Sequence, residues 1–264
     1  MNNNKTILVT GSTSGIGLGI AKQFASNGYN VIVNGFADDD TVTNILAELT
    51  QLGAKFCEYV DADLMTNGGC AKLIKIAQDK AKVLGLNVDM LVNNAGMQYV
   101  APIEEFSVEK WQQIINLNLS AAFYLSKCLV PSMKANGWGR IINIASTHGL
   151  VASGSKPAYV AAKHGIIGLT KALALELANT GITVNAVCPG WVLTPLVMQQ
   201  IEAISKQDNI SYQQAEQKLI SEKQPMLKFN TPESIAAMVL FLVADHSQAI
   251  TGSAMVMDGG WTAQ

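Results

Sequence analysis

Thr10-Gly11-Ser12-Thr13-Ser14-Gly15-Ile16-Gly17 is the stretch that decides the fold. It follows the β-rich run Thr6–Thr10 and opens a helical pattern. Glycines placed there allow a tight turn and let the backbone approach a pyrophosphate, which then rests on the helix N-terminus. An ordinary strand-to-helix turn has the same appearance, so the rest of the chain must decide. Six more β-rich runs follow: Asn30–Asn34, Phe56–Val60, Met90–Asn93, Arg140–Ile144, Thr183–Val187 and Ala254–Met257. Most are dense in Ile, Val and Leu, as strands covered on both faces are, while Phe56–Val60 is more mixed. Stretches long enough for crossover helices separate them. The rhythm predicts an α/β, Rossmann-type, doubly wound parallel sheet of seven strands with a helical lid insertion, in one domain spanning residues 1–264.

Helix signals agree with that count. Thr231-Pro232-Glu233 reads as an N-cap, a proline at the first helical position and an acid in the first turn. Pro157 opens another helix. The segment Thr194–Asn230 breaks the rhythm. It is polar, rich in Gln and Lys, and carries no strand signal, which suits a lid or binding element.

Composition sets further bounds. The chain has 264 residues, 49% hydrophobic and 14% charged, enough for one large buried core. A net charge of −2 gives no reason to expect a nucleic-acid or anionic-membrane partner. No apolar run approaches the roughly 20 residues that span a bilayer. Met1-Asn2-Asn3-Asn4-Lys5 leads into the first strand without a leader pattern, so a cytoplasmic protein is expected. Cys57, Cys70, Cys128 and Cys188 lack metal-ligand spacing and read as reduced, mostly buried thiols, with no metal site.

Tyr159-Val160-Ala161-Ala162-Lys163 describes a proton-transfer device. Positions i and i+4 share a helix face. An ammonium beside a phenol favours phenolate and is expected to pull Tyr159 down from about 10. Such a tyrosine exchanges a proton with an alcohol or a ketone. Ser146 is placed to hydrogen-bond the reacting oxygen.

The end of the second strand bears on the choice between NAD and NADP, since an acid there binds a ribose hydroxyl and an arginine a 2′-phosphate. The chain has Asn34-Gly35-Phe36, with Asp38, Asp39 and Asp40 following late. No Lys or Arg lies in the glycine-rich turn or in residues 30–40, which favours NAD by exclusion. The three aspartates also suit a solvated helix start. Asp63, in Asp61-Ala62-Asp63-Leu64, is placed to hold an adenine. Asn93-Asn94-Ala95-Gly96 and Pro189-Gly190 end the fourth and sixth strands, where a cofactor would cross the sheet edge.

Taken in order, these motifs and Asn118 resemble the short-chain dehydrogenase/reductase family along the whole chain. The resemblance implies hydride transfer between a nicotinamide and a carbonyl or alcohol. It implies a tetrad of Asn118, Ser146, Tyr159 and Lys163. In it Tyr159 is the acid/base, Ser146 orients the substrate oxygen and Asn118 anchors a water. Lys163 tunes the tyrosine and holds the ribose. The implied cofactor contacts are Gly11, Ser12, Thr13, Gly15, Ile16, Gly17, Phe36, Asp63, Leu64, Asn94, Ala95, Gly96, Tyr159, Lys163, Pro189, Gly190 and Val192.

Around these residues the sequence gathers Gln98, His148, Lys156 and Gln200, with Trp191 and Trp261 as apolar candidates. A cation, an imidazole and two amides are what a small carboxylate needs. Taken singly, each has a plainer reading as a surface or core residue. Trp261 reaches the pocket only if the C-terminus folds back. The segments Ile144–Ser153, Cys188–Val192, Ser221–Pro225 and Asp258–Thr262 are similar to one branch of the family, the bacterial 3-hydroxybutyrate dehydrogenases. That likeness implies carboxylate binding by Gln98, His148, Lys156 and Gln200. It implies (R)-3-hydroxybutyrate and acetoacetate as substrates, NAD as cofactor and a mobile lid over 194–224. It also implies a homotetramer packed through residues 102–136, 157–180 and the C-terminal segment. A reductase of larger substrates using NADPH, such as a 3-oxoacyl carrier-protein reductase, would need cations that residues 10–40 do not supply. A binding protein without turnover would not need an intact tetrad.

Overall fold

The computed structural model describes residues 4–264. Met1–Asn3, on which the expectation of a leaderless start partly rests, lie outside the described residues. Seven parallel strands form the sheet: β1 Thr6–Val9, β2 Asn30–Val33, β3 Cys57–Tyr59, β4 Val88–Asn93, β5 Gly139–Ile144, β6 Ile182–Pro189 and β7 Ala254–Met257. Their order is β3-β2-β1-β4-β5-β6-β7, so the winding reverses between β1 and β4. Ligand crevices open at such a reversal, beyond the strand C-termini. The reading therefore holds for every strand, with ends shifted by a few residues.

Side chains alternate across the sheet and feed two cores. Ile7 and Val9 face α1 (Gly15–Ser26), α2 (Asp39–Leu52) and α9 (Pro232–Val243), where Phe24, Leu49 and Leu242 are buried. Leu8 faces the other way, towards α3 (Asn67–Val83), α5 (Ala121–Ala135) and α6 (Pro157–Leu177), where Leu73, Leu129 and Leu177 are buried. Thr231 and Ser234 close a capping box at the start of α9, beside Pro232 at its first position.

One departure from the sequence reading and one refinement of it matter. First, α4 (Val108–Ile115) runs through a π-helical turn, Asn116–Ser120, into α5, so the helix is continuous over Val108–Ala135. That run is long and apolar enough to cross a membrane by composition, which no apolar stretch of the sequence had suggested. Here it packs on α3, α6, β4 and β5, and Ala121, Leu125 and Leu129 sit in the core. Second, the insertion after β6 is helical, as expected, and is divided into two helices, α7 (Pro195–Asp208) and α8 (Tyr212–Ser221). Val197, Ile201, Ala215 and Leu219 give the pair a small core of its own, against which Trp191, Leu193 and Phe229 pack. The four cysteines form no disulfide; Cys70 and Cys188 are buried, whereas Cys128 is exposed on α5, contrary to the expectation for most of them.

Candidate active site

The crevice is built where β1 and β4 part. Thr10 Oγ1 accepts from the backbone N–H groups of Asn94 and Ala95, each at 3.0 Å. The Asn94 amide donates to the carbonyls of Thr10 and Gly11 at 2.9 and 3.0 Å. The glycine-rich turn is thus stitched to the end of β4. Gly17 is needed for this approach, since a Cβ there would meet Gly11 O and lie 2.5 Å from the Asn94 amide nitrogen. Ser14 precedes α1 without a side-chain cap bond, so the first-turn N–H groups are left to another acceptor. The cleft beside them, about 280 Å³, is lined by Gly11, Thr13, Phe36, Leu64, Asn94 and Gly96 among others. An uncapped helix N-terminus opening on a cleft fits the pyrophosphate of a dinucleotide.

Asn94 and Gly96 also line a second cavity of about 260 Å³, so the two spaces adjoin. Ser146, Tyr159 and Lys163 face it, with Ile16, Pro189, Gly190 and Val192. Ser146 ends the loop after β5 and accepts the His148 N–H at 3.1 Å. Lys163 Nζ donates to the Ile144 carbonyl at 2.7 Å and stands 5.7 Å from the centre of the Tyr159 ring. Burial holds Lys163 down at about 8. Burial pushes the Tyr159 phenol up, only partly offset by a hydrogen bond with Ser146. The expected lowering of Tyr159 by Lys163 is therefore not seen in this arrangement. Desolvation of a buried phenol outweighs a cation that is itself desolvated.

Asn118 lies in the widened π turn. Its Oδ1 accepts Met97 N–H and its Nδ2 donates to Met97 O, both at 2.9 Å. The side chain is thus committed to the loop after β4. π turns often mark functional sites, because one extra residue re-aims the helix. A small enclosed cavity of about 10 Å³ lies between Asn93, Asn118 and Lys163.

Gln98, His148, Lys156, Trp191 and Trp261 line the cavity of about 260 Å³ with Ser146, Tyr159 and Lys163, whereas Asn118 lies on the small cavity behind it. The C-terminus does fold back. Asp258 accepts from Gly260 N–H and from the Thr262 N–H and hydroxyl, which fixes the turn carrying Trp261. His148 stacks edge-on to Trp261 and Tyr159, at 5.3 and 5.8 Å between ring centres. Its Nε2 meets Ser153 Oγ at 2.8 Å. Burial first, then the charges of Lys156, Lys223 and His164, hold its imidazole down at about 4. Lys156 stands just ahead of α6, and burial lowers its ammonium.

A family model described as short chain dehydrogenase matches residues 5–205. The chain belongs to the short chain dehydrogenases. D-beta-hydroxybutyrate dehydrogenase of Cupriavidus necator is 51% identical over the full length of both chains. The Rhizobium meliloti protein of that name is 47% identical over 98% of this chain and 99% of its own. Among solved structures, L-sorbose reductase of Gluconobacter frateurii with NADPH and L-sorbose is similar at a TM-score of 0.93 and 30% identity, covering all of both chains. The actinorhodin polyketide ketoreductase with NADPH gives 0.89 and 34%, over 100% of this chain and 99% of its own. As a member of this dehydrogenase family, the chain is an oxidoreductase whose crevice takes a nicotinamide cofactor.

Within this short chain dehydrogenase, a few expected contacts are placed elsewhere. Ser12 is fully buried, donates to Val9 O at 2.7 Å and accepts Asn34 N–H at 3.0 Å, so its side chain braces the turn rather than facing the cleft. Asp63 is exposed and accepts Met65 N–H at 2.9 Å, while its neighbours Ala62 and Leu64 line the cleft. Gly15 and Gly17 shape the turn and do not line it. Gln200 is half-buried on α7 and does not reach the cavity; Leu196 and Val197 of the same helix do. Val197 is buried and Leu196 stands on the open rim, and Gln200 lies on the next turn. Met97 and Thr194 also line the cavity and were not anticipated. Both flank motifs that were, which is the only signal the sequence offered.

Proposed function

We propose that this chain interconverts (R)-3-hydroxybutyrate and acetoacetate with NAD. The observation that carries the reading is the cavity itself. Lys156, a cation besides the tetrad's Lys163, lines it with Gln98, His148 and the tryptophan pair, all facing the same space as Ser146 and Tyr159. A cation just before a helix N-terminus is on the unfavourable end of the helix dipole, and here it is partly desolvated as well. Stability does not explain it, whereas an anionic substrate does. Two indoles close the space around a short carbon chain. The full-length likeness to the two hydroxybutyrate dehydrogenases supports the same choice.

The cofactor supplies or accepts the hydride. The chain contributes position and a proton. Lys156, Gln98 and neutral His148 hold the carboxylate. Ser146 orients the oxygen being made or unmade. Tyr159, kept protonated by burial, gives its proton to the ketone oxygen and recovers one through the Lys163 side. The enclosed cavity beside Asn118 and Lys163 has room for about one water, which suits that return path.

NAD over NADP rests on the β2 end. Asn34 is buried, and its amide donates to Val60 O and Ala62 O at 3.0 and 3.1 Å, so it braces the strand end. Phe36 stands exposed on the cleft rim in place of a cation. Asp38 caps α2, accepting Thr41 N–H at 2.8 Å, with Asp39 and Asp40 in the first turn. A 2′-phosphate would meet carboxylates. Exposed Trp111 and Phe123 on the α4–α5 helix, Leu175 on α6 and Val256 on β7 suit the faces of a homotetramer.

The test is NADH formation from (R)-3-hydroxybutyrate, beside the (S)-enantiomer and beside NADP. Turnover with the (R)-acid and NAD alone is expected. Activity confined to uncharged alcohols would discard the carboxylate site, and a preference for NADPH would favour a ketoreductase.

A further inference from the structure

Gln224 is 1% exposed, although it lies in the polar stretch Ser221-Glu222-Lys223-Gln224-Pro225 that the proposed chemistry leaves without a task. Burying an amide is costly unless both of its ends are bonded. Both are: Oε1 accepts Trp191 N–H at 3.1 Å, and Nε2 donates to Lys228 O. The side chain fills a slot between two glycines. A Cβ on Gly190 would lie 2.7 Å from its Oε1, and one on Gly259 would lie 2.6 Å from its Cγ.

Three segments cross at this slot: the exit of β6, the return from α8 and the C-terminal tail. Main-chain bonds tie them together. Gly190 N donates to Met257 O at 2.8 Å, Met226 N to Gly259 O at 2.9 Å, and Asn230 N to Trp191 O at 2.9 Å. The Gln224 side chain, bonded to Trp191 N–H and packed against Gly190 and Gly259, touches all three, as does that of Asn230, whose amide donates to Met257 O at 2.7 Å and Trp191 O at 3.4 Å; Gln224 is the one wedged between the two glycines. The crossing brings Trp191 and Trp261 into a stack, with ring centres 6.4 Å apart and planes inclined by 29°. Both rings wall the cavity, while Gln224 itself does not line it.

We propose that Gln224 is a positioning residue that fixes the Trp191–Trp261 wall and so sets the length of carbon chain the cavity admits. This rests on the hydroxy-acid reading above. Gln224→Leu keeps the volume and removes both bonds. The assay compares acetoacetate with 3-oxohexanoate as oxidants of NADH, and measures NADH binding alongside. The preference for acetoacetate falls by about tenfold in kcat/KM, the order a hydrocarbon pocket enforces. The fall comes mainly through a higher KM for acetoacetate, with NADH affinity unchanged. In a Trp261→Ala background the same substitution leaves the preference where Trp261→Ala alone put it, because the wall it positions is gone. Should Gln224→Leu not yield folded protein, Gln224→Asn, too short to span both partners, is read in the same way. Equal losses on both substrates would mean that Gln224 only supports the fold, and the proposal would fall. So would an undiminished effect in the Trp261→Ala background. Wild-type protein without acetoacetate turnover would take down the hydroxy-acid reading and this proposal together; wild-type turnover with an unmoved preference would take down this one alone.

Discussion

Replacing His148 by Gln should make the folded chain less sensitive to acid. The folded imidazole titrates at about 4, against 6.5 when free, because it is buried and faces the charges of Lys156, Lys223 and His164. Between those two values the unfolded chain binds a proton that the folded chain refuses. The stability contributed by neutral His148 is therefore fully present above the free value and is lost as pH falls towards the folded one. At about pH 5 the loss amounts to roughly 2 kcal/mol. For a chain of this size that is a fall in Tm of about 4–8 °C. Gln retains a donor and an acceptor for Ser146 and Ser153 but cannot titrate. Thermal melts of both proteins near neutrality and near pH 5 isolate the contribution as a difference of differences. The wild-type Tm should fall further than that of the variant by this amount. Parallel falls would mean that the cavity accepts a charged imidazole, and would remove neutral His148 from the carboxylate site.

Lys163→Met should abolish turnover and yet raise Tm by a few degrees, because it deletes a buried ammonium held down at about 8; a lower Tm would show that the bond to Ile144 O outweighs the desolvation. Asn118→Ala should cost about 1–3 kcal/mol in denaturant unfolding, as both Met97 main-chain groups lose their partner; an unchanged midpoint would mean that water replaces the amide. Phe36→Arg, on the exposed rim of the cleft, should raise kcat/KM with NADPH by about tenfold or more; no gain would place the 2′ position away from residue 36. Tyr159→Phe should lose nearly all turnover while still binding NADH, checked by fluorescence titration, and parallel loss of binding would refute its role as proton donor.

The strands were legible because each is a short apolar run between helices, and the glycine-rich turn because it joins the first of them to a helix in a chain with the later motifs in order. Tyr159, Lys163 and Ser146 fell together because their helix and strand end were both readable. What stayed hidden depends on packing. No periodicity announces that Asn116–Ser120 winds as a π turn, since the same residues would suit an α-helix. Ser12 looks like a ligand residue in the sequence, yet its side chain closes backbone bonds inside the sheet edge. Gln200 is the natural choice from a polar segment, but the helix buries Val197 beside the cavity and leaves Leu196 on its open rim. Gln224 was invisible for the same reason: a buried glutamine surrounded by exposed polar neighbours carries no pattern. The acidity of Tyr159 was misjudged because an i, i+4 spacing gives the distance between two groups and says nothing of how dry both will be.

The private core of α7 and α8 bears on how this protein could change over generations. Val197, Ile201, Ala215 and Leu219 bury one another, and Trp191 and Leu193 from the end of β6 pack against them. A unit that satisfies most of its own apolar surface tolerates rewriting as a block, since few contacts outside it must change in step. Exchanging α7 and α8, residues 195–221, between relatives is therefore expected to change substrate choice, provided that Gln224 and Asn230, which bond the exit of β6, stay in place.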